Sequence, residues 1–158
     1  MTLKDDLLVE FEEWSGFVDR IAPQDWNVSL GEGKWTIHDV VCHIYLWDKY
    51  FLEEAIKPIS EGQPLTLRHL DYNEFNRKAV EAGRKLTKPE LIELTRQFRS
   101  SIVTEIRDQE PSKFTEEYVD ADGNKFSVES YLKDFIWHDR HHMKQIEDRI
   151  SKSSLDQH

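Results

Sequence analysis

Phe135-Ile136-Trp137-His138-Asp139-Arg140-His141-His142 lies near the end of a run that reads as one amphipathic helix. Val128, Tyr131, Phe135, Ile146 and Ile150 recur around it at helical steps, so one face of that helix is apolar. His138 and His142 stand one turn apart, where two imidazoles point the same way and can share one metal ion. At about 100° per residue both fall within about 60° of Phe135, on the flank of the apolar face, while His141 turns toward solvent or a neighbouring subunit. A long helix with one buried face needs other helices to cover it.

The rest of the chain supplies them. A first helix, from about Leu3 to Ile21, carries the stripe Leu7, Phe11, Trp14, Val18 and Ile21, with Thr2 placed to cap it and Pro23 beyond its end. A second starts at Thr36, where Thr36 and Asp39 form a capping-box pair and Trp35 and Val40 are placed for a hydrophobic staple. It runs through Val40, His43, Trp47 and Tyr50 and is expected to stop before Pro58. A third opens with Thr87-Lys88-Pro89-Glu90 and buries Leu91, Leu94, Phe98, Ile102 and Ile106. The fourth begins near Ser127. Four such helices predict an all-α four-helix bundle.

The connections suggest how the bundle is wired. Between helices two and three the chain from Lys57 to Leu86 holds a shorter helical pattern, Tyr72, Phe75 and Ala79. A connection that long can run back along the bundle, which permits an up-down-down-up order. Before helix four, Asp122-Gly123 is a hairpin turn signal, so a small β-hairpin is expected there. Residues 1–150 read as a single domain, and 151–158 as a flexible polar tail.

Composition narrows the function classes. With 158 residues, 38% hydrophobic and 11% aromatic, the chain can build a real core. A net charge of −10 without a basic block argues against nucleic-acid and anionic-membrane partners. A lone cysteine, Cys42, allows no internal disulfide and suits a reducing compartment. With no apolar signal region and no run of membrane-spanning length, the expectation is a cytoplasmic protein, and Asn27-Val28-Ser29 is then a chance glycosylation sequon.

His43, on the buried edge of helix two, is the third histidine of interest. Seven histidines in 158 residues yield about 0.3 pairs four apart by chance, so the spacing alone does not decide. Two readings stay open on pattern: boundary histidines satisfied by polar partners, or three inward imidazoles from two helices holding a metal. No other metal motif competes. Asp39, one turn before His43, could orient its free ring nitrogen or simply cap the helix. Tyr50 shares the face of His43 and could line a pocket. Cys42 turns about 100° away from His43 and reads as a small packed thiol. Asp139 and Glu147 read as solvated charges, Trp35, Trp47 and Trp137 as core or interface anchors, and His38 and His69 as solvent-facing; His158 is terminal.

The first-helix pattern, Trp35-Thr36-Ile37-His38-Asp39-Val40-Val41-Cys42-His43-Ile44 with Asp48, and the terminal Trp137-His138-Asp139-Arg140-His141-His142 resemble the DinB-like superfamily, and within it members of the bacillithiol-transferase type. The resemblance covers most of the chain in order. It implies a four-helix bundle in which His43, His138 and His142 bind a divalent metal, often in a homodimer.

The site chemistry then frames the activity. Three neutral imidazoles favour zinc or nickel, with manganese also compatible. Three protein ligands leave a position for substrate, as in catalytic rather than structural sites. A thiol coordinated there loses its proton and becomes a nucleophile. Together with the resemblance, this predicts a metal-dependent thiol S-transferase that conjugates a small-molecule thiol to electrophiles in stress or detoxification. A hydrolase or isomerase at the same site, or a non-catalytic dimeric binding module, are the alternatives.

Overall fold

A computed structural model describes residues 2–156, with side chains through residue 152. The four long helices are α1 (Leu3–Asp19), α2 (Ile37–Phe51), α5 (Lys88–Asp108) and α7 (Val128–Asp156). Shorter pieces are α3 (Lys57–Glu61), α4 (Tyr72–Gly83), α6 (Ser112–Thr115) and the strands β1 (Tyr118–Val119) and β2 (Lys125–Phe126).

The helices begin where capping chemistry tells them to. Thr2, Thr36 and Thr87 each accept from the backbone N–H three residues on, and Asp5, Asp39 and Glu90 reach back to the cap N–H. Each box satisfies two of the backbone donors that a helix start leaves free. Asp71 caps α4 by accepting from Glu74 N–H.

Side-chain contacts fix the direction of each helix. Lys4 Nζ donates to the carbonyl of Ile106 at 3.2 Å and Asp19 pairs with Arg96 at 2.9 Å, so α1 and α5 are antiparallel. His38 Nε2 donates to the carbonyl of Leu86 at 3.0 Å and Gln109 Nε2 to that of Ile56 at 3.2 Å, so α2 and α5 run parallel. His43 meets His142 with ring centroids 5.3 Å apart while Phe51 meets Tyr131 at 5.0 Å, so α7 opposes α2. The bundle is therefore up-down-down-up, as the long connection permits, with α4 lying in that connection against α2. The expected hairpin forms, with Tyr118 opposite Phe126 and Gly123 in the left-handed region at φ 85°. Asp120 accepts from Asp122 N–H at 2.9 Å and Asn124 N–H at 2.8 Å to close the turn.

Two expectations about helix ends change. Helix two does not stop before Pro58; it passes through a π-helical stretch, Leu52–Ile56, and continues as α3 to Glu61. Proline cannot donate to the carbonyl four residues back, here that of Glu54. The wider π turn accommodates the ring, and the freed Glu54 carbonyl accepts instead from Thr66 N–H at 3.0 Å and Leu67 N–H at 3.1 Å. The loss of one helical bond thus anchors the start of the crossover. At the other end, α7 continues past Ile150 to Asp156, so 151–156 extend the helix and the last two residues of the expected tail lie outside the described residues.

The core has two halves. One gathers Leu8, Phe11, Ile56, Ile102 and Leu132; the other gathers Trp14, Trp26, Val40, Ile44 and Ile146. Truncating a fully buried aromatic such as Phe11 or Trp14 to alanine costs about 3–5 kcal/mol. Among the described residues, no helix is long and apolar enough to cross a membrane.

Candidate metal centre

His43 is buried on the inward face of α2, two turns after the Thr36 cap. His138 and His142 reach it from α7, one turn apart and half-buried. One ring nitrogen from each of the three lies within 4.8 Å of the others. The rings of His138 and His142 meet edge to face with centroids 4.5 Å apart, and their Nε2 atoms are 3.2 Å apart.

Neighbours decide which nitrogens are free. Trp47 Nε1, a donor only, gives its proton to Asn76 Oδ1 at 2.8 Å, which marks that oxygen as an acceptor. His43 Nδ1 lies 3.0 Å from the same oxygen and so carries the proton. His43 Nε2 is then an unprotonated lone pair, buried and without a hydrogen-bond partner among the described residues. His142 repeats the arrangement, with Nδ1 donating to Gln145 Oε1 at 3.0 Å. An imidazole whose far nitrogen is held by an amide or carboxylate oxygen is the usual form of a metal-ligating histidine.

Burial keeps the rings neutral. It lowers the pKa of His43, against a smaller opposing pull from Asn76. It brings His138 down to about 4, helped by charge repulsion from His43 and His141. It brings His142 down to about 3, helped by repulsion from His138 and His43. The imidazolium form is therefore disfavoured at neutral pH, and both rings keep a lone pair for a hydrogen bond or for a metal ion. Tetrahedral zinc with bonds of about 2.0–2.1 Å sets its ligands about 3.3 Å apart, close to the Nε2 separation seen. The donor set fits a divalent first-row metal.

The other residues singled out in the sequence fall as follows. Asp39 caps α2 and stands 3.9 Å from Arg84, so the orienting role at His43 belongs to Asn76. Tyr50 hydroxyl donates to the Arg68 carbonyl at 3.2 Å and accepts Arg68 N–H at 3.0 Å, pinning the crossover rather than facing the histidines. Cys42 is buried against Gly83, donates to the Ala79 carbonyl at 3.1 Å, and is pushed up to about 12 by burial. It is a packed thiol. Trp35 packs on the His43 ring at 5.0 Å and Trp47 is buried, but Trp137 is 69% exposed and stacks on His141, so it is no core residue. His69, His141 and Glu147 are exposed as expected, while His38 is half-buried and bonded to Leu86. His158 lies outside the described residues.

Asp139 overturns its expectation outright. It is 3% exposed and pairs with Arg99 Nη1 at 2.6 Å, while Arg99 forks onto the buried Asp48 at 3.0 Å through Nε and Nη2. Burial pushes both carboxyls up against the opposing pull of Arg99. The signal for Arg99 was a charge interrupting the row Leu91, Thr95, Ile102 and Ile106 on the inner face of α5.

A groove of ≈ 330 Å³ lined by Phe51, Tyr72, Lys125, Phe126, Ser130 and Phe135 shares Asp134 and Phe135 with a second depression, also lined by Trp137 and His138. Three larger depressions, around Trp26 and Leu86, around Ser29 and Arg149, and around Trp137 and Arg140, are not lined by any of the three histidines.

Fold and site together define a helical-bundle protein with a three-histidine cluster between antiparallel helices. The DinB superfamily model matches residues 9–146, and the chain belongs to that superfamily. Among solved structures it is similar to YfiT from Bacillus subtilis, described as a probable metal-dependent hydrolase with an unusual four-helix bundle topology. The TM-score is 0.75 at 16% identity, over 98% of this chain and 90% of that one. It is also similar to a mycothiol-dependent maleylpyruvate isomerase, with TM-score 0.72 at 15% identity, over 92% of this chain and 61% of that one. At these identities the likeness is one of fold. No curated protein matches the sequence at a significant level.

Proposed function

We propose that this protein holds a divalent metal on His43, His138 and His142 and uses it to activate a small-molecule thiol for transfer to an electrophile. The observation that carries the reading is the unprotonated, partnerless Nε2 of His43 aimed at two neutral imidazoles whose Nε2 atoms are 3.2 Å apart. A divalent ion on three such ligands supplies Lewis acidity that favours the thiolate at neutral pH. Zinc and nickel suit the donor set best, and manganese is compatible.

The chain's own groups do the rest. Asn76 and Gln145 hold the rings of His43 and His142 with their lone pairs inward. The groove from Phe51 and Phe126 to Phe135 offers an apolar wall for an electrophile beside His138, with Lys125 and Ser130 to meet a polar group. The similarity to a thiol-dependent isomerase supports thiol as co-substrate, and bacillithiol or a relative is the class of thiol proposed. The similarity to YfiT supports a second reading, hydrolysis at the same site. A homodimer is part of the proposal, supported by the exposed Trp137.

The test is consumption of monochlorobimane by metal-loaded protein with a panel of low-molecular-weight thiols. Thiol-dependent turnover that chelation and His142→Ala both abolish supports the transferase. Turnover of ester or amide substrates without thiol supports the hydrolase instead.

A further inference from the structure

Arg99, on α5 and 1% exposed, touches all four long helices of the bundle. Its Nη1 donates to the Phe11 carbonyl of α1 at 2.8 Å and to Asp139 Oδ2 of α7 at 2.6 Å. Its Nε and Nη2 fork onto the two oxygens of Asp48 on α2, each at 3.0 Å. Its Cζ lies 3.8 Å above the Phe11 ring. The two carboxylates it grips belong to the two helices that carry the histidines. Asp48 follows His43 by little more than one turn of α2, and Asp139 is the residue next to His138.

We infer that Arg99 is a positioning residue for the three-histidine centre: by gripping Asp48 and Asp139 together it fixes the register at which α2 and α7 present His43 and His138. This rests on the metal reading proposed above. The contacts of Phe51 with Tyr131 and Phe135, each at 5.0 Å, set the spacing of the same two helices. Such apolar contacts are not directional, so they leave sliding along the axis soft. Metal coordination tolerates about 0.2 Å, whereas a slip of one residue moves a helix by about 1.5 Å. A planar guanidinium with donors in fixed directions supplies the missing constraint, which the point charge of lysine does not.

Cobalt(II) is the probe, because its visible absorption reports ligand geometry as well as occupancy. Arg99→Lys keeps the charge and loses the fork. Val103→Ala, a core change on the same helix away from the histidines, is the control for lost stability. The expected result is a fall of at least about tenfold in cobalt affinity and an altered spectrum for Arg99→Lys. Val103→Ala should melt earlier yet bind as the parent does. Parental affinity and spectrum in Arg99→Lys, at a comparably lowered melting temperature, would overturn the inference and leave the metal reading intact. No cobalt binding by the parent protein would sink the metal reading and this inference with it. Should Arg99→Lys not fold, Asp139→Asn keeps the side-chain volume while weakening the grip, and carries the same two outcomes.

Discussion

His138 and His142 face one another through Nε2 atoms 3.2 Å apart, although burial holds both rings in the neutral form. His142 Nε2 is a lone pair, because Nδ1 of that ring donates to Gln145, and the Nε2–H of neutral His138 can donate to it; a divalent cation meeting both rings and the free Nε2 of His43 would replace that proton. Tag-free protein purified without added metal is therefore expected to carry near-stoichiometric zinc, nickel or manganese. His142→Ala should lose most of it. Elemental analysis that finds metal in neither protein, with no uptake on titration, would reduce the three histidines to core residues.

Asn76 separates orientation from ligation. Its Oδ1 takes protons from Trp47 Nε1 and His43 Nδ1, so Asn76→Leu leaves both donors unmet while every ligand stays in place. Metal affinity is expected to fall by about 10- to 100-fold, and stability by about 1–3 kcal/mol for each buried donor left unpaired. Tyr50→Phe, which cuts only the tie to Arg68, should leave affinity unchanged. Isothermal titration with zinc on the three proteins decides it; equal losses in both variants would mean that the crossover as a whole, not Asn76, orients His43.

The three-histidine cluster was legible in the sequence because each member sits on a helix whose phase can be read. Thr36 caps α2, Val40 and Trp47 mark its buried face, and His43 falls between them; Phe135 and Ile146 place His138 and His142 in the same way. The orienting residue was not legible. Asn76 reaches His43 from α4, across a connection whose path depends on the π turn at Leu52–Ile56 and on amides docking at the Glu54 carbonyl. Periodicity carries no information about such a path. Asp139 was misread for a related reason. A carboxylate flanking the helix-four histidines looks solvated until the buried Arg99 of another helix is seen to meet it.

Gly83 has an ordinary helical backbone, and its need for glycine comes from packing. A Cβ at that position would overlap Cys42 Sγ and press within 2.6 Å of Cys42 Cβ. Gly83→Ala is expected to push α4 away from α2 and cost about 1–3 kcal/mol. Cys42→Ala on that background removes the sulfur and should restore part of the loss, since the Cβ contact remains. Chemical denaturation of the two single variants and the double gives the coupling. Additive losses would show that α4 yields freely and that the close approach does not fix its position.

The depressed histidines also set an acid limit for the metal-free protein. His138 titrates at about 4 and His142 at about 3 when folded, against 6.5 for an unperturbed ring. Between those values the unfolded chain binds protons that the folded chain does not, so stability rises with pH across the window. The contribution is complete above about 6.5 and is lost progressively as pH falls toward the folded values. Melting temperature of the metal-free protein should accordingly drop from pH 7 to pH 4.5. His138→Gln/His142→Gln, which cannot take up those protons, should show a shallower decline over the same range. Bound zinc should steepen the loss in the parent, because acid must then also displace the ion from its ligands. Parallel declines in the parent and the double variant would mean that other titratable groups, and not these two imidazoles, govern acid unfolding.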